Sequence, residues 1–324
     1  MSRRQSVFYS VRYRIGEYWL RAFVKVFPHL PPQLLEAFVE LSAKVSFFLL
    51  RRYRKRMEET VGSLDPAHVG HGVVPKDLAW RAWRNFGRSA YETARTLYSS
   101  KEQIRAMVVI EGEEHLKRAL QKDKGFIALS AHLGNFTIIG PRLAAEGYAF
   151  SALVKHPGDP RFAKLGDEQR TKVGVNTIPA KPRRKSVRYL LNALRKNEVV
   201  LLIADEFKGG KFAVQFLGRT AFAPRGPATL ALRTGAAIVP MFVTRDDRDR
   251  LTLRISPEVE ITKTGDAMAA TEANVALLSR HLETMVLRYP DQWSWLGFRK
   301  NGERSGDYAP NQDPAPAQKD STLP

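Results

Sequence analysis

"ALSAHLGNFTIIG", residues 128–140, decides how the rest of the chain is read. An apolar run ends in His132, a Gly-Asn turn follows, and a second apolar run begins, which predicts a strand end facing a helix start. A histidine at such a junction is a candidate general base, because its ordinary pKa lies close to neutrality. A base of this kind needs a partner that fixes its tautomer. The residue placed to turn back from the following helical turn is Thr137, a hydroxyl rather than an acid.

Outward from this junction the pattern alternates. Short apolar, β-rich runs are "MVVIEG", "GFIALSA", "AFSALVK", "VVLLIAD", "FAVQF", "AAIVPMFV" and "RLTLRIS". Between several of them lie stretches read as helical at 135–147, 160–172, 184–197 and 226–235, and a helix near 267–289 closes the series. This alternation predicts an α/β fold, a layered αβα domain with a mainly parallel central sheet. Chemistry in such sheets gathers at the carboxyl ends of the strands. "GFIALSA" runs into His132 and "VVLLIAD" runs into Asp205 and Glu206, so neighbouring strands would bring an imidazole and a carboxylate together. Upstream, "DLAWRAWRNFGRSAYETARTLY" is read as a helix with Leu78, Ala82, Phe86, Ala90 and Leu97 inward.

The 324 residues, 44% hydrophobic, are enough to bury a sizeable core. The absence of cysteine excludes a disulfide framework, a thiolate nucleophile and cysteine metal sites. Only His68 and His71 of the seven histidines are close in sequence; they fall in a glycine-rich loop, so no metal site is expected. The net charge of +19 calls for an anionic partner: nucleic acid, anionic lipid or an acidic carrier protein. No nucleic-acid module is recognisable, which makes nucleic acid the weakest of the three.

The placement of charge favours a membrane surface. Residues 1–60 hold 12 Lys+Arg against 5 Asp+Glu, interleaved with aromatic and aliphatic residues. Phe8, Val11, Ile15, Trp19, Ala22 and Val26 recur at helical spacing, with Arg14, Glu17, Arg21 and Lys25 opposite. "LLEAFVELSAKVSFFLL" follows with Glu36, Glu40 and Lys44 on one stripe, and "RRYRKR" comes directly after it. Neither stretch has the roughly 18 uncharged residues a span requires, so both are read as amphipathic helices lying on the membrane. Residues 1–60 are thus a membrane-associating segment, 61–300 the α/β domain, and the polar, proline-rich 301–324 a disordered tail.

The chain has no G-x-S-x-G elbow, no G-x-G-x-x-G and no Walker A loop. A strand-end histidine and carboxylate without a cysteine or serine elbow suit direct transfer, in which the base takes a proton from an acceptor hydroxyl as it attacks an activated acyl group. In order and spacing, "SAHLGNF", "RTKVGVNTIP", the run from Leu201 to Val243 and "RYPDQWSWLGFRK" resemble the bacterial lysophospholipid acyltransferase superfamily. The nearest branch is that of the lipid A biosynthesis lauroyl and myristoyl acyltransferases and related glycolipid acyltransferases. The resemblance extends from about residue 10 to residue 300.

That resemblance implies an O-acyltransferase on the cytoplasmic face of the inner membrane, peripheral or monotopic, that needs no metal or redox cofactor. Acyl carrier protein or acyl-CoA would be the donor and a lipid or glycolipid the acceptor. His132 matches the family's base, while Thr137 stands where the family has Asp or Glu. A threonine can hold the imidazole tautomer but cannot stabilise the imidazolium by charge, a loss worth roughly four orders of magnitude in the serine-protease template. Three arrangements remain open: Asp205 or Glu206 supplies the carboxylate; Thr137 orients a slower enzyme; or the scaffold binds lipid without transfer. Arg225, before a small-residue helix start, and Lys208, in a glycine loop, are candidate anion contacts. Arg170, Asn135, Thr137 and Arg219 complete the candidate substrate contacts. Residues 161–196, with 11 Lys+Arg against 2 Asp+Glu, offer a face for an acidic carrier or lipid head groups. Trp293 and Trp295 are read as packing residues.

Overall fold

Val199–Ile203 is aliphatic at every position, and a strand of this kind has no face to show to water. It lies in the middle of a seven-stranded sheet in a computed structural model that describes residues 30–65, 73–207, 210, 212–263 and 265–298, together with Tyr18, Ala22 and Val26. Apart from those three positions, the helix expected over 8–26 lies outside the described residues. So do His68, His71, Lys208, Arg299 and the 301–324 tail.

In chain order the elements are α1 (Pro32–Leu49), α2 (Arg51–Gly62), α3 (Pro75–Thr96), α4 (Lys101–Met107), β1 (Val108–Glu111), α5 (Glu113–Leu120) and β2 (Phe126–Ser130). A 3-10 turn (Phe136–Ile138) leads into α6 (Ile139–Ala145), then β3 (Phe150–Val154), α7 (Pro160–Lys172), β4 (Val175–Pro179), α8 (Arg183–Arg195) and β5 (Val199–Ile203). The chain continues through β6 (Phe212–Phe216), β7 (Arg219–Ala223), α9 (Gly226–Thr234), β8 (Ala237–Arg245), β9 (Leu251–Ile255) and α10 (Ala267–Arg288).

The sheet order is β1-β9-β8-β2-β5-β3-β4, parallel throughout except where β9 runs against β8. Alternating side chains of β2 and β5 feed two cores. Ile127, Leu129, Val200 and Leu202 pack towards α8, α9 and α10. Phe126, Ala128, Val199 and Leu201 pack on Leu116 of α5 and on Ile139 and Leu143 of α6. Helices on both faces make the αβα layering. Phe47, Met57 and Val61 of α1 and α2 belong to the first core, so the end of the 1–60 segment is packed into the sheet's own interior.

Three expectations are corrected. The edge strand β4, "VNTIP", is absent from the strands read in the sequence: only Val175 and Ile178 are buried, Asn176 is exposed and two positions are polar, so it lacks the continuous apolar run that marks its neighbours. "FAVQF" does not join the central sheet. It forms a separate hairpin with β7 through Leu217 and Gly218, both at positive φ as a two-residue hairpin turn requires. The inward face of α3 is rotated from the predicted one: Leu78, Ala82 and Leu97 are buried, but Phe86 and Ala90 are exposed. Asn85, Ser89 and Glu92 face inward instead: the Ser89 carbonyl and the Glu92 carboxylate receive Asn135 of the turn after His132, and Asn85 donates to the Asp291 carbonyl.

That turn depends on Gly134. Its amide donates to the Gln292 carbonyl at 2.8 Å, the next amide donates to the Val243 carbonyl at 3.0 Å, and φ is +58°. A Cβ here would stand 1.8 Å from the Val243 oxygen. Gly134→Ala is expected to lose about 2–5 kcal/mol of stability, combining backbone strain with a clash against main chain. Gly147→Ala, also at positive φ but with open space around it, should lose about 1–2 kcal/mol from strain alone. Urea unfolding of the two variants separates the two contributions.

Candidate active site

The register that pairs Ser130 with Ile203 also decides which residues meet at the sheet edge. Continued two residues past each strand, it sets His132 opposite Asp205. His132 Nδ1 lies 2.7 Å from Asp205 Oδ1. The other carboxylate oxygen accepts the His132 backbone N–H at 2.8 Å and the Trp293 indole N–H at 2.8 Å. The Asp205 side chain is 2% exposed and that of His132 is 38% exposed. A buried carboxylate surrounded by donors is an acceptor, so Nδ1 carries the proton and the basic lone pair falls on Nε2. Phe136 meets the imidazole edge-on with ring centres 5.1 Å apart. Glu206, the other acid of the expected pair, is exposed.

Thr137 faces a different network. Its hydroxyl donates to Asn135 Oδ1 at 2.5 Å and is bonded to the Thr93 hydroxyl of α3. Asn135, 2% exposed, donates through Nδ2 to the Ser89 carbonyl at 3.0 Å and to Glu92 Oε2 at 2.9 Å. Glu92 in turn pairs with Arg245 at the end of β8, both side chains being nearly buried. Gln292 then clamps Arg245, accepting its N–H at 2.9 Å and donating to its carbonyl at 2.8 Å. The turn after His132 is thereby bolted to α3, β8 and the segment after α10. Asn135 and Thr137 are parts of this bolt.

The sequence model of the bacterial lipid A biosynthesis acyltransferases matches residues 8–299 of the chain. The chain belongs to that family. The phosphatidylinositol mannoside acyltransferase of Mycolicibacterium smegmatis is 25% identical over 225 residues, 69% of this chain and 72% of its own length. The lipid A biosynthesis palmitoleoyltransferase of Escherichia coli K12 is 25% identical over 221 residues, 67% and 69% of the two chains. The phosphatidylinositol mannoside acyltransferase of Mycobacterium tuberculosis H37Rv is 27% identical over 247 residues, 75% and 74%.

In this lipid A biosynthesis acyltransferase family member the expected basic contacts are spread apart. Arg170 donates from Nε to Thr177 Oγ1 and from Nη2 to Asp167 Oδ1, both at 2.7 Å, on the β3–β4 side of the sheet. Asp167 also bonds His156 Nε2 at 2.9 Å, just past the end of β3. Burial raises the Asp167 carboxyl, but the hydrogen bonds from His156 and Arg170 outweigh it and hold its pKa below the ordinary value. Arg219 is committed to a seam between hairpin and helix. It donates to Ser63 Oγ at 2.6 Å and to the Ser63 carbonyl, beside the Phe298 ring, and burial pushes its pKa down. Arg225 stands half-buried at the N-cap of α9.

Around the turn stand groups to which the sequence reading gave no such contact: Trp293, read as packing, bonds Asp205, and Thr93, Glu92 and Arg245 lie behind the turn. The recurrence of Asn85, Ser89 and Glu92 along α3 is a polar stripe at helical spacing, and it was the signal that could have exposed the second group. The energetic ranking within the network is testable. Glu92→Ala removes the nearer carboxylate from the nearly buried Arg245 cation, leaving Asp249 at 3.9 Å, and should cost about 3 kcal/mol. Thr137→Val removes one neutral hydroxyl and should cost about 1 kcal/mol, with the His132–Asp205 pair intact. Denaturant melts give both values.

Proposed function

We propose that the protein transfers a fatty acyl chain from an acyl thioester, carried by acyl carrier protein or coenzyme A, to a hydroxyl of a lipid or glycolipid at a membrane surface. The observation that carries this reading is the His132–Asp205 pair at the carboxyl edge of the sheet in a member of an acyltransferase family. Nε2 takes the acceptor's hydroxyl proton as the oxygen attacks the thioester carbonyl. The C–O bond forms, the tetrahedral oxyanion collapses with cleavage of the C–S bond, and the departing sulfur receives the proton back from Nε2. Asp205 stabilises the imidazolium between those two transfers, so the chemistry does not need an acid at position 137. A lipid-binding role without catalysis loses its motive on the same ground.

Surface features support the partners. Leu34, Leu41, Val45, Phe48 and Leu49 form an exposed apolar stripe on α1, followed by exposed Arg51, Arg52 and Lys55. Apolar burial combined with cationic attraction is how a peripheral helix grips an anionic bilayer. Among the described residues no helix is long and apolar enough to cross a membrane. A peripheral position on the cytoplasmic face of the inner membrane is part of the same proposal. The exposed Lys181, Arg183, Arg184, Lys185 and Arg188 at the start of α8 suit an acidic carrier. Arg225 serves as an anion contact in this reading, and Arg170, in α7, is assigned to the same role; Lys208, the third, lies outside the described residues.

The test is a mass-spectrometric comparison of lipids from cells expressing matched levels of wild type, His132→Ala, Asp205→Asn and Glu206→Gln. Wild type should add one acyl chain to a lipid; His132→Ala and Asp205→Asn should lower its formation by about 10²–10⁴-fold, and Glu206→Gln by less than about threefold. Product that survives His132→Ala overturns the assignment. Separately, Leu41→Glu combined with Phe48→Glu should reduce sedimentation with anionic phosphatidylglycerol vesicles at least about tenfold.

A further inference from the structure

Two tryptophans stand two residues apart in the segment after α10, and both are buried. Both belong to one aromatic cluster: Trp293 lies 4.9 Å from Trp295, 5.7 Å from Phe216 and 5.6 Å from Phe298, measured between ring centres. Both are packed within the core, and a phenylalanine would fill much of either place. Their N–H groups differ. Trp295 donates to the Pro290 carbonyl at 2.8 Å, a bond local to its own segment. Trp293 donates to Asp205 Oδ2, 88 positions away in sequence.

Around that bond the two segments are stitched together. Leu133 and Trp293 form a β-bridge, and the Ser294 amide donates to the His132 carbonyl at 2.9 Å. The Asp205 carboxylate therefore has one oxygen on the imidazole and the other held by the His132 amide and the indole. It cannot turn about its Cβ–Cγ bond without breaking all three contacts. An indole N–H also suits the task chemically. It donates without accepting and carries no charge, so it fixes the carboxylate and leaves its negative charge for the imidazolium. An arginine or lysine in its place would neutralise the acid that His132 needs.

We infer that Trp293 is a positioning residue for the base: its indole N–H holds the Asp205 carboxylate so that Oδ1 stays in line with His132 Nδ1. This rests on the reading of His132 as the base, and it separates Trp293 from Trp295, whose contribution is packing.

The experiment compares Trp293→Phe with Trp295→Phe in the full-length protein. Both lose an indole hydrogen bond from the same aromatic cluster, so both should lower the melting temperature. Only Trp293→Phe should lower kcat, by about 10–100-fold, the value of a hydrogen bond to a charged group, with KM for the acyl donor unchanged. A second readout needs no turnover. In protein labelled with ¹⁵N-histidine, the Nδ1 proton resonance of His132, assigned by its loss in His132→Ala, should move or broaden in Trp293→Phe and stay in place in Trp295→Phe. If Trp293→Phe does not fold, the benzothienyl isostere of tryptophan placed at 293 alone, which keeps the shape and lacks the N–H, should give the same two changes. Failure of the catalytic reading would appear as activity surviving His132→Ala and would leave the resonance test standing. A resonance and a kcat that respond alike to changes at 293 and 295 overturn the inference.

Discussion

A carboxylate taken out of water has to be met by donors, and the surroundings of Asp205 follow from that requirement. The strand before it is aliphatic on both faces, so the chain delivers an ionisable group to the top of an apolar wall. Uncompensated, such a charge would cost several kcal/mol. Compensation comes from the imidazole and amide of His132 and from the indole of Trp293, which belong to two other parts of the sequence. The requirement for donors and the orientation of the His132 imidazole are therefore met by the same contacts. His132 is left partly exposed while its partner is sealed, so the imidazole meets solvent from a fixed position.

Behind this pair a second polar layer holds the turn in place. Glu92, Arg245, Asn135, Thr93 and Thr137 form a chain of bonds from α3 to β8, with Gln292 closing its far end. Glu92, Asn135 and Arg245 are buried or nearly so, and polar groups of this kind restrict the backbone because any shift leaves one of them unsatisfied. The turn carries no regular secondary structure between His132 and Phe136, so its shape comes from these bonds and from the glycine at 134. Thr137 fits this scheme as a hydroxyl that both accepts and donates.

How far the fold and site can be read from sequence follows from what each residue contacts. The central strands are legible because their partners are on both faces, so every position must be apolar. β4 is not, because an edge strand shows half of itself to solvent and its sequence reads as mixed. His132 and the 205–206 acids could be placed at one edge from strand ends alone. Choosing Asp205 over Glu206 needed the register, since a shift of one residue exchanges the faces. Phe86 illustrates the opposite failure: apolar periodicity pointed it inward, while the inner stripe of α3 was polar because it faced a turn rather than a core. Trp293 looked like packing because an aromatic residue in a cluster satisfies that description completely; its N–H partner lies in another part of the chain.

The three segments that meet at Asp205 are spread over half of the sequence, and the last of them follows the long helix α10. During synthesis, β2 and β5 leave the ribosome and can pair well before residue 293 is made. Until then the carboxylate lacks its third donor and the His132 turn lacks the Gln292 carbonyl that receives Gly134. Closing contacts of such long sequence separation come late in folding. The nascent domain therefore has its sheet before the His132–Asp205 pair is fully held, and the last of these contacts forms only when nearly the whole α/β domain has been translated.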